Sequence, residues 1–201
     1  FFIHRNFFDA QRNVISGFDQ NSFMKQPFKT HNIRLGIDFN IGKKTVLGLL
    51  TNSNFMVQNR TGNTDTNVTD ASGILDYITN TNMLMDEDRD NTFYNLNFKH
   101  SFTDNAEWTA DVDYGKISAA TIQNINNSNS NVNNQIISSN KLFTDQLGGI
   151  DVRSFKSDFT KTFGPQMKFE TGIKLSKVGS DNDVKFFNVV DNVNIPDVNN
   201  T

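Results

Sequence analysis

Hydrophobic and polar positions alternate most cleanly between residues 32 and 41, where Asn32, Arg34, Gly36, Asp38 and Asn40 separate Ile33, Leu35, Ile37, Phe39 and Ile41. Period two over ten residues predicts a β-strand with one apolar and one polar face. Gly42-Lys43-Lys44 supplies a turn, and a second strand runs from Thr45 to about Gln58. It places Leu47, Leu49, Phe55 and Val57 on one face, interrupted by Thr51 and Ser53. The pair reads as a tight hairpin over about 32–58.

The same unit recurs over about 92–117 and 150–177. In the first recurrence Tyr94, Leu96, Phe98 and Phe102 alternate with Asn95, Asn97, Lys99 and Ser101, with His100 breaking the apolar row. After a turn at Thr103-Asp104-Asn105-Ala106, Trp108, Ala110, Val112 and Tyr114 alternate with Thr109, Asp111, Asp113 and Gly115. In the second, Phe155, Phe159 and Phe163 lead through Gly164-Pro165-Gln166 into Met167, Phe169, Thr171, Ile173 and Leu175, with Lys168, Glu170, Gly172, Lys174 and Ser176 opposite.

The connections between hairpins differ from the turns within them. Residues 59–91, 118–149 and 179–201 are polar and rich in Asn, Ser, Thr and Asp, and 124–134 approaches low complexity. They are expected to be long loops. Short turns alternating with long loops, on strands with an apolar-out and polar-in dyad, predict an antiparallel transmembrane β-barrel. Each strand reaches the roughly 9 to 11 residues that cross a bilayer at a tilt. The expected class is all-β, with residues 1–201 forming a single partial barrel region of the bacterial outer membrane.

Composition agrees with this class. Nineteen Phe and thirty Asn accompany a hydrophobic content of only 36%, which leaves little for a helical core to bury. Phe, Val, Ile and Thr favour strands, and Asn and Gly favour turns. No stretch approaches the roughly 18 to 20 apolar residues of a membrane-spanning helix. Residues 1–5 lack the pattern of a signal peptide. A net charge of −3 gives no reason to expect a nucleic-acid partner. The absence of cysteine excludes disulfides, thiolate metal sites and a Cys nucleophile.

Catalytic chemistry has no candidate constellation, so no enzyme and no cofactor is expected. His4, His31 and His100 lack metal-ligand spacing, and Asp86-Glu87-Asp88-Arg89-Asp90 lacks that of a calcium loop. The functional residues are instead expected on the two faces of the strands. Arg34, Asp38, Asp111, Asp113, Lys168, Glu170 and Lys174 share the polar face and would line the lumen. The plain alternative is cross-strand pairing or hydration, worth about 0.2 to 1 kcal/mol per pair. Leu35, Ile37, Phe39, Leu96, Phe98, Trp108, Val112, Tyr114, Phe169, Ile173 and Leu175 would face outer-membrane lipid.

Two stretches carry a family resemblance. Phe93 to Asp104 with Glu107 to Tyr114, and Ser157 to Gly164 with Lys168 to Lys174, resemble the barrel region of TonB-dependent-receptor-like outer-membrane proteins of Bacteroidota. The resemblance implies a barrel of about 22 strands occluded by a plug. It also implies a TonB-type energy transducer as partner, a surface lipoprotein as another, and import of a solute. Six strands are legible, with no plug and no TonB-contacting box, so the chain reads as a portion of such a receptor. The alternatives are a soluble β-sandwich binding or adhesin module and a small structural outer-membrane barrel.

Overall fold

A computed structural model describes residues 1–103 and 105–198, so Asp104 of the second expected turn and the last three residues of the third expected loop lie outside it. The described residues form one nine-stranded antiparallel sheet: β1 (Phe2–Phe8), β2 (Val14–Lys25), β3 (Phe28–Ile41), β4 (Thr45–Asp70), β5 (Leu75–Thr103), β6 (Ala106–Asn131), β7 (Ile136–Phe163), β8 (Met167–Val190) and β9 (Val193–Pro196). The order is β1-β2-β4-β5-β6-β7-β8-β9, with β3 also on β4. β2 and β3 are two lengths of one strand. Lys25 stands opposite Thr61 and Phe28 opposite Gln58, so the register passes unshifted through Gln26-Pro27. Pro27 has no N–H to donate, but its carbonyl accepts from Asn59 at 3.1 Å.

The long loops expected at 59–91 and 118–149 are not loops, and neither are residues 179–196 of the one expected at 179–201. β4 to β8 run 24 to 29 residues, about 80 to 95 Å each, against a hydrocarbon core of about 30 Å. Where a strand meets water on both faces, its polar side chains need not alternate with apolar ones, so the period-two signal vanishes although the ladder continues. Asn, Thr and Ser join neighbouring strands instead. The Thr79 hydroxyl donates to Asn129 and the Thr81 hydroxyl to Asn127, both at 2.8 Å, and the Ser22 and Thr64 hydroxyls meet at 2.9 Å.

Three upper hairpins close with one repeated turn. Asp9, Asp70 and Asn131 each accept the backbone N–H of the residue four positions on through a side-chain oxygen, at 2.8, 2.9 and 3.0 Å. Their carbonyls accept from the residue three positions on, which has positive φ: Arg12, Gly73 and Asn134. The side chain imitates a backbone turn, which makes a five-residue connection sufficient.

The sheet has no interior. Ala106 is the only buried hydrophobic residue among those described, and no large side chain is fully buried. The accessible area is 14261 Å², against about 9,500 Å² for a folded soluble monomer of this mass. One close contact across the sheet is nevertheless specific. A Cβ at Gly115 would lie 2.5 Å from the Phe93 ring, which covers the glycine from the opposite strand.

Gly115→Ala is therefore expected to destabilise the sheet by about 1 to 3 kcal/mol through overpacking. The cost should fall sharply in a Phe93→Ala background. Urea midpoints of the four proteins in the cycle measure the coupling, and equal losses in both backgrounds contradict it.

Candidate functional site

Register gathers the apolar positions of six strands onto one face. Reading across β3 to β8, one row is Ile37, Leu49, Leu96, Val112, Phe155 and Leu175; the row below is Phe39, Leu47, Phe98, Ala110, Ser157 and Ile173. Leu35 and Tyr114 lie one row above this pair, Trp108 one row below, and Phe169 on β8 lower still on the same face. The borders are aromatic. Below, Phe98 meets Trp108 edge-on at 5.1 Å, His100 packs against Phe102 at 4.5 Å, and the Trp108 indole N–H donates to the Ser157 hydroxyl at 2.8 Å. Above, Tyr94 and Tyr114 stack at 6.5 Å.

The band is oblique to the rows. On β3 its apolar run is Ile33 to Ile41, in register with Gly179 to Thr171, whereas on β8 it is Met167 to Leu175. Both borders drop by four residues across five strand spacings, a slope of about 30°, close to the tilt of membrane-spanning strands. Higher on the same face the rows turn acidic, with Asp86, Asp88 and Asp90 on β5 and Asp181 and Asp183 on β8. There Asp183 accepts from Lys185 at 2.8 Å, which holds the lysine pKa above its ordinary value.

The opposite face is polar at the levels where the first is apolar. Asp113 accepts from Asn95 of β5 at 2.7 Å and from Ser154 of β7 at 2.6 Å. Lys99 pairs with Glu107 and Lys156 with Asp158, both at 2.5 Å, and Lys168 pairs with Glu170. Gly48 leaves room for the Asp38 and Asn97 side chains, both of which a Cβ would meet at 2.5 Å. Such a face cannot meet hydrocarbon, since a charge there costs up to about 2 to 4 kcal/mol.

The seven polar residues singled out from the sequence share this face but do not converge. Arg34 and Asp38 sit on β3 at one side of the spanning sheet, Lys168, Glu170 and Lys174 on β8 at the other, and Asp111 and Asp113 midway on β6. The histidines are equally scattered: His4 contacts Asp19 at 2.6 Å, His31 is exposed on β3, and His100 meets Thr45 at 2.8 Å. Residues 86–90 lie within β5 and alternate between faces rather than forming a loop, with Arg89 turned onto Glu87. Among the described residues no group of acids and histidines is placed to hold a metal ion.

Two features were missed in the sequence. A depression of about 610 Å³ on the polar face, above the lipid band, is lined by Asn52, Asn54, Asn91, Phe93, Gln146 and Asn182 among others. Its lining comes from all five strands β4 to β8, with Ile117, Ala119 and Thr121 of β6 between the others, so only the register unites them. On the apolar face Arg153 lies over the Tyr114 ring at 5.9 Å. The weak alternation of 150–163 concealed its place at the border.

A sheet without a core, apolar on one face between aromatic borders and charged on the other, defines a transmembrane β-barrel protein. The outer membrane protein beta-barrel family matches residues 100–201, half of the chain, and the chain belongs to that family. It is thereby an outer-membrane protein in contact with membrane lipid, from a family of barrels rather than of enzymes. No curated protein matches it.

Arg at Leu49 or Leu96 should cost about 2 to 4 kcal/mol of assembly free energy, because both lie inside the apolar band. Lys174→Glu, facing Lys156 on the polar side, should be tolerated. The folded fraction is read from heat-modifiable gel mobility. Tolerance of both arginines contradicts the assignment of faces.

Proposed function

We propose that the chain forms part of the wall of a larger solute-uptake barrel of the TonB-dependent-receptor kind, as found in Bacteroidota. The observation that carries this is the pair of open edges. Between β3 and β8 the spanning sheet has six strands, and along the lipid band neither outer edge has a neighbour among the described residues. In hydrocarbon each unpaired backbone N–H or C=O costs several kcal/mol. Closing six strands on one another falls short of the eight in the smallest single-chain barrels. Further strands of the same barrel satisfy both conditions.

The polar face then lines a lumen wide enough for a plug domain. Arg34, Asp38, Asp111, Asp113, Lys168, Glu170 and Lys174 contact plug, water or passing solute there. The upper hairpins and the amide-lined depression meet the solute first, with a surface lipoprotein as a further partner. A TonB-type transducer supplies the energy for release inward.

Uptake of a labelled solute panel by cells with and without the full-length protein tests this reading. Uptake should require the protein and cease when a protonophore collapses the proton gradient. Protein-dependent uptake that survives the protonophore overturns energised import, and an isolated barrel of only eight strands overturns the larger wall.

A further inference from the structure

We infer that the upper border of the lipid-facing band carries a binding site for a phosphorylated lipid of the outer leaflet, built by Arg153 and Lys177 above an apolar groove. This rests on the spanning reading of the sheet. The groove is a depression of about 410 Å³ whose lining includes Val112, Tyr114, Arg153, Phe155, Leu175 and Lys177, all on the lipid-facing side. Its lower part is one continuous stretch of the band, Val112, Phe155 and Leu175 standing side by side in a single row. The two cations occupy the row above, next to the Tyr114 ring.

Those cations are the feature the fold does not explain. Arg153 and Lys177 are direct cross-strand partners, and like charges so placed repel. Among the described residues neither has a carboxylate within ion-pair distance. Asp151, next on that face of β7, accepts the Tyr114 hydroxyl at 3.0 Å and stands opposite Lys116. An anion seated between the guanidinium and the ammonium removes the repulsion, and a phosphate offers acceptor oxygens to both.

The position selects the source of that phosphate. The tight turns at 42–44 and 164–166 mark the periplasmic side and the long strand extensions the outside. The border with Arg153 and Lys177 is therefore that of the outer leaflet. Acyl chains descend over Val112, Phe155 and Leu175, where a soluble phosphate has nothing to bury. A phosphate arriving from water first meets Asp90, Asp181 and Asp183 on the same face. A lipid arrives from the side and avoids them.

The test uses the full-length protein in mild detergent, offered equal amounts of dioleoyl phosphatidic acid and dioleoyl phosphatidylcholine, with retained lipid read by native mass spectrometry. Phosphatidic acid should be retained preferentially. Arg153→Gln with Lys177→Gln should lower its retention at least about tenfold, from two surface cations lost. Arg153→Lys with Lys177→Arg keeps both charges and should keep the lipid. Lys161→Gln removes a cation near the lower border and should change nothing. Undiminished retention in the double glutamine variant, or displacement of the lipid by millimolar inorganic phosphate, overturns the proposal. A Leu96→Cys variant in membranes serves as the independent check on spanning. Its labelling by a lipid-soluble thiol reagent, with no charge dependence of lipid retention, rejects the lipid site alone; absence of labelling rejects the spanning reading itself.

Discussion

Backbone pairing in register is the constraint on which everything else here depends. The sheet buries no core, so packing of side chains against side chains cannot define its shape, as it does in a soluble domain. A strand slipped by one residue would carry its whole apolar set to the charged face and its charges to lipid. Over six strands the row through Ile37, Leu49, Leu96, Val112, Phe155 and Leu175 holds without an exception. Tight turns between successive strands fix the register of each hairpin. Irregularities of pairing in β4 to β7 are confined to the ends of strands, at Val68/Thr69, Ser101/Thr103 and Asn129/Ser130.

The molecule joins two stability regimes along the same strands. In the lower part, transfer of one face into hydrocarbon supplies the driving force, and the desolvated backbone makes each ladder bond obligatory. In the upper part both faces are wet, and each backbone bond only replaces one with water, so its net contribution is about 0.5 to 1.5 kcal/mol. The Asn, Thr and Ser contacts between strands and the three Asx-type turns add to that smaller margin. The extensions are held from below, as continuations of strands whose register the membrane already sets.

Legibility in the sequence followed the same division. Residues 32–41, 94–98, 108–114 and 167–175 stand where one face of the sheet is apolar and the other polar, and there alternation is complete enough to read strand, register and face together. Above the band the period disappears, because nothing penalises a polar residue on either side. Asn, taken one residue at a time, then suggests turns, and the extensions at 59–91 and 118–149 resemble loops. The real turns were present as Asp70 with Gly73 and Asn131 with Asn134, but their mark is a hydrogen-bond pattern rather than a composition. Pro27, which separates β2 from β3, leaves the register between them unshifted.

Residues of functional interest divide on the same line. Faces were legible, since alternation assigns Asp111 and Val112 to opposite sides without further information. Neighbourhoods were not, since they arise from pairing between segments far apart in the chain. Arg153 becomes informative only when Lys177 is seen beside it, and Asn52 only when Gln146 and Asn182 share its depression. In a sheet with no interior the site-forming unit is therefore the row, not the motif. A charged residue in such a protein is understood by asking which residues share its row, and at what depth that row meets the membrane. By that measure Asp113, bound by both neighbouring strands in a polar row, is held in place by the fold. Arg153 and Lys177, side by side at the border of an apolar groove, have their natural counter-charge in the lipid.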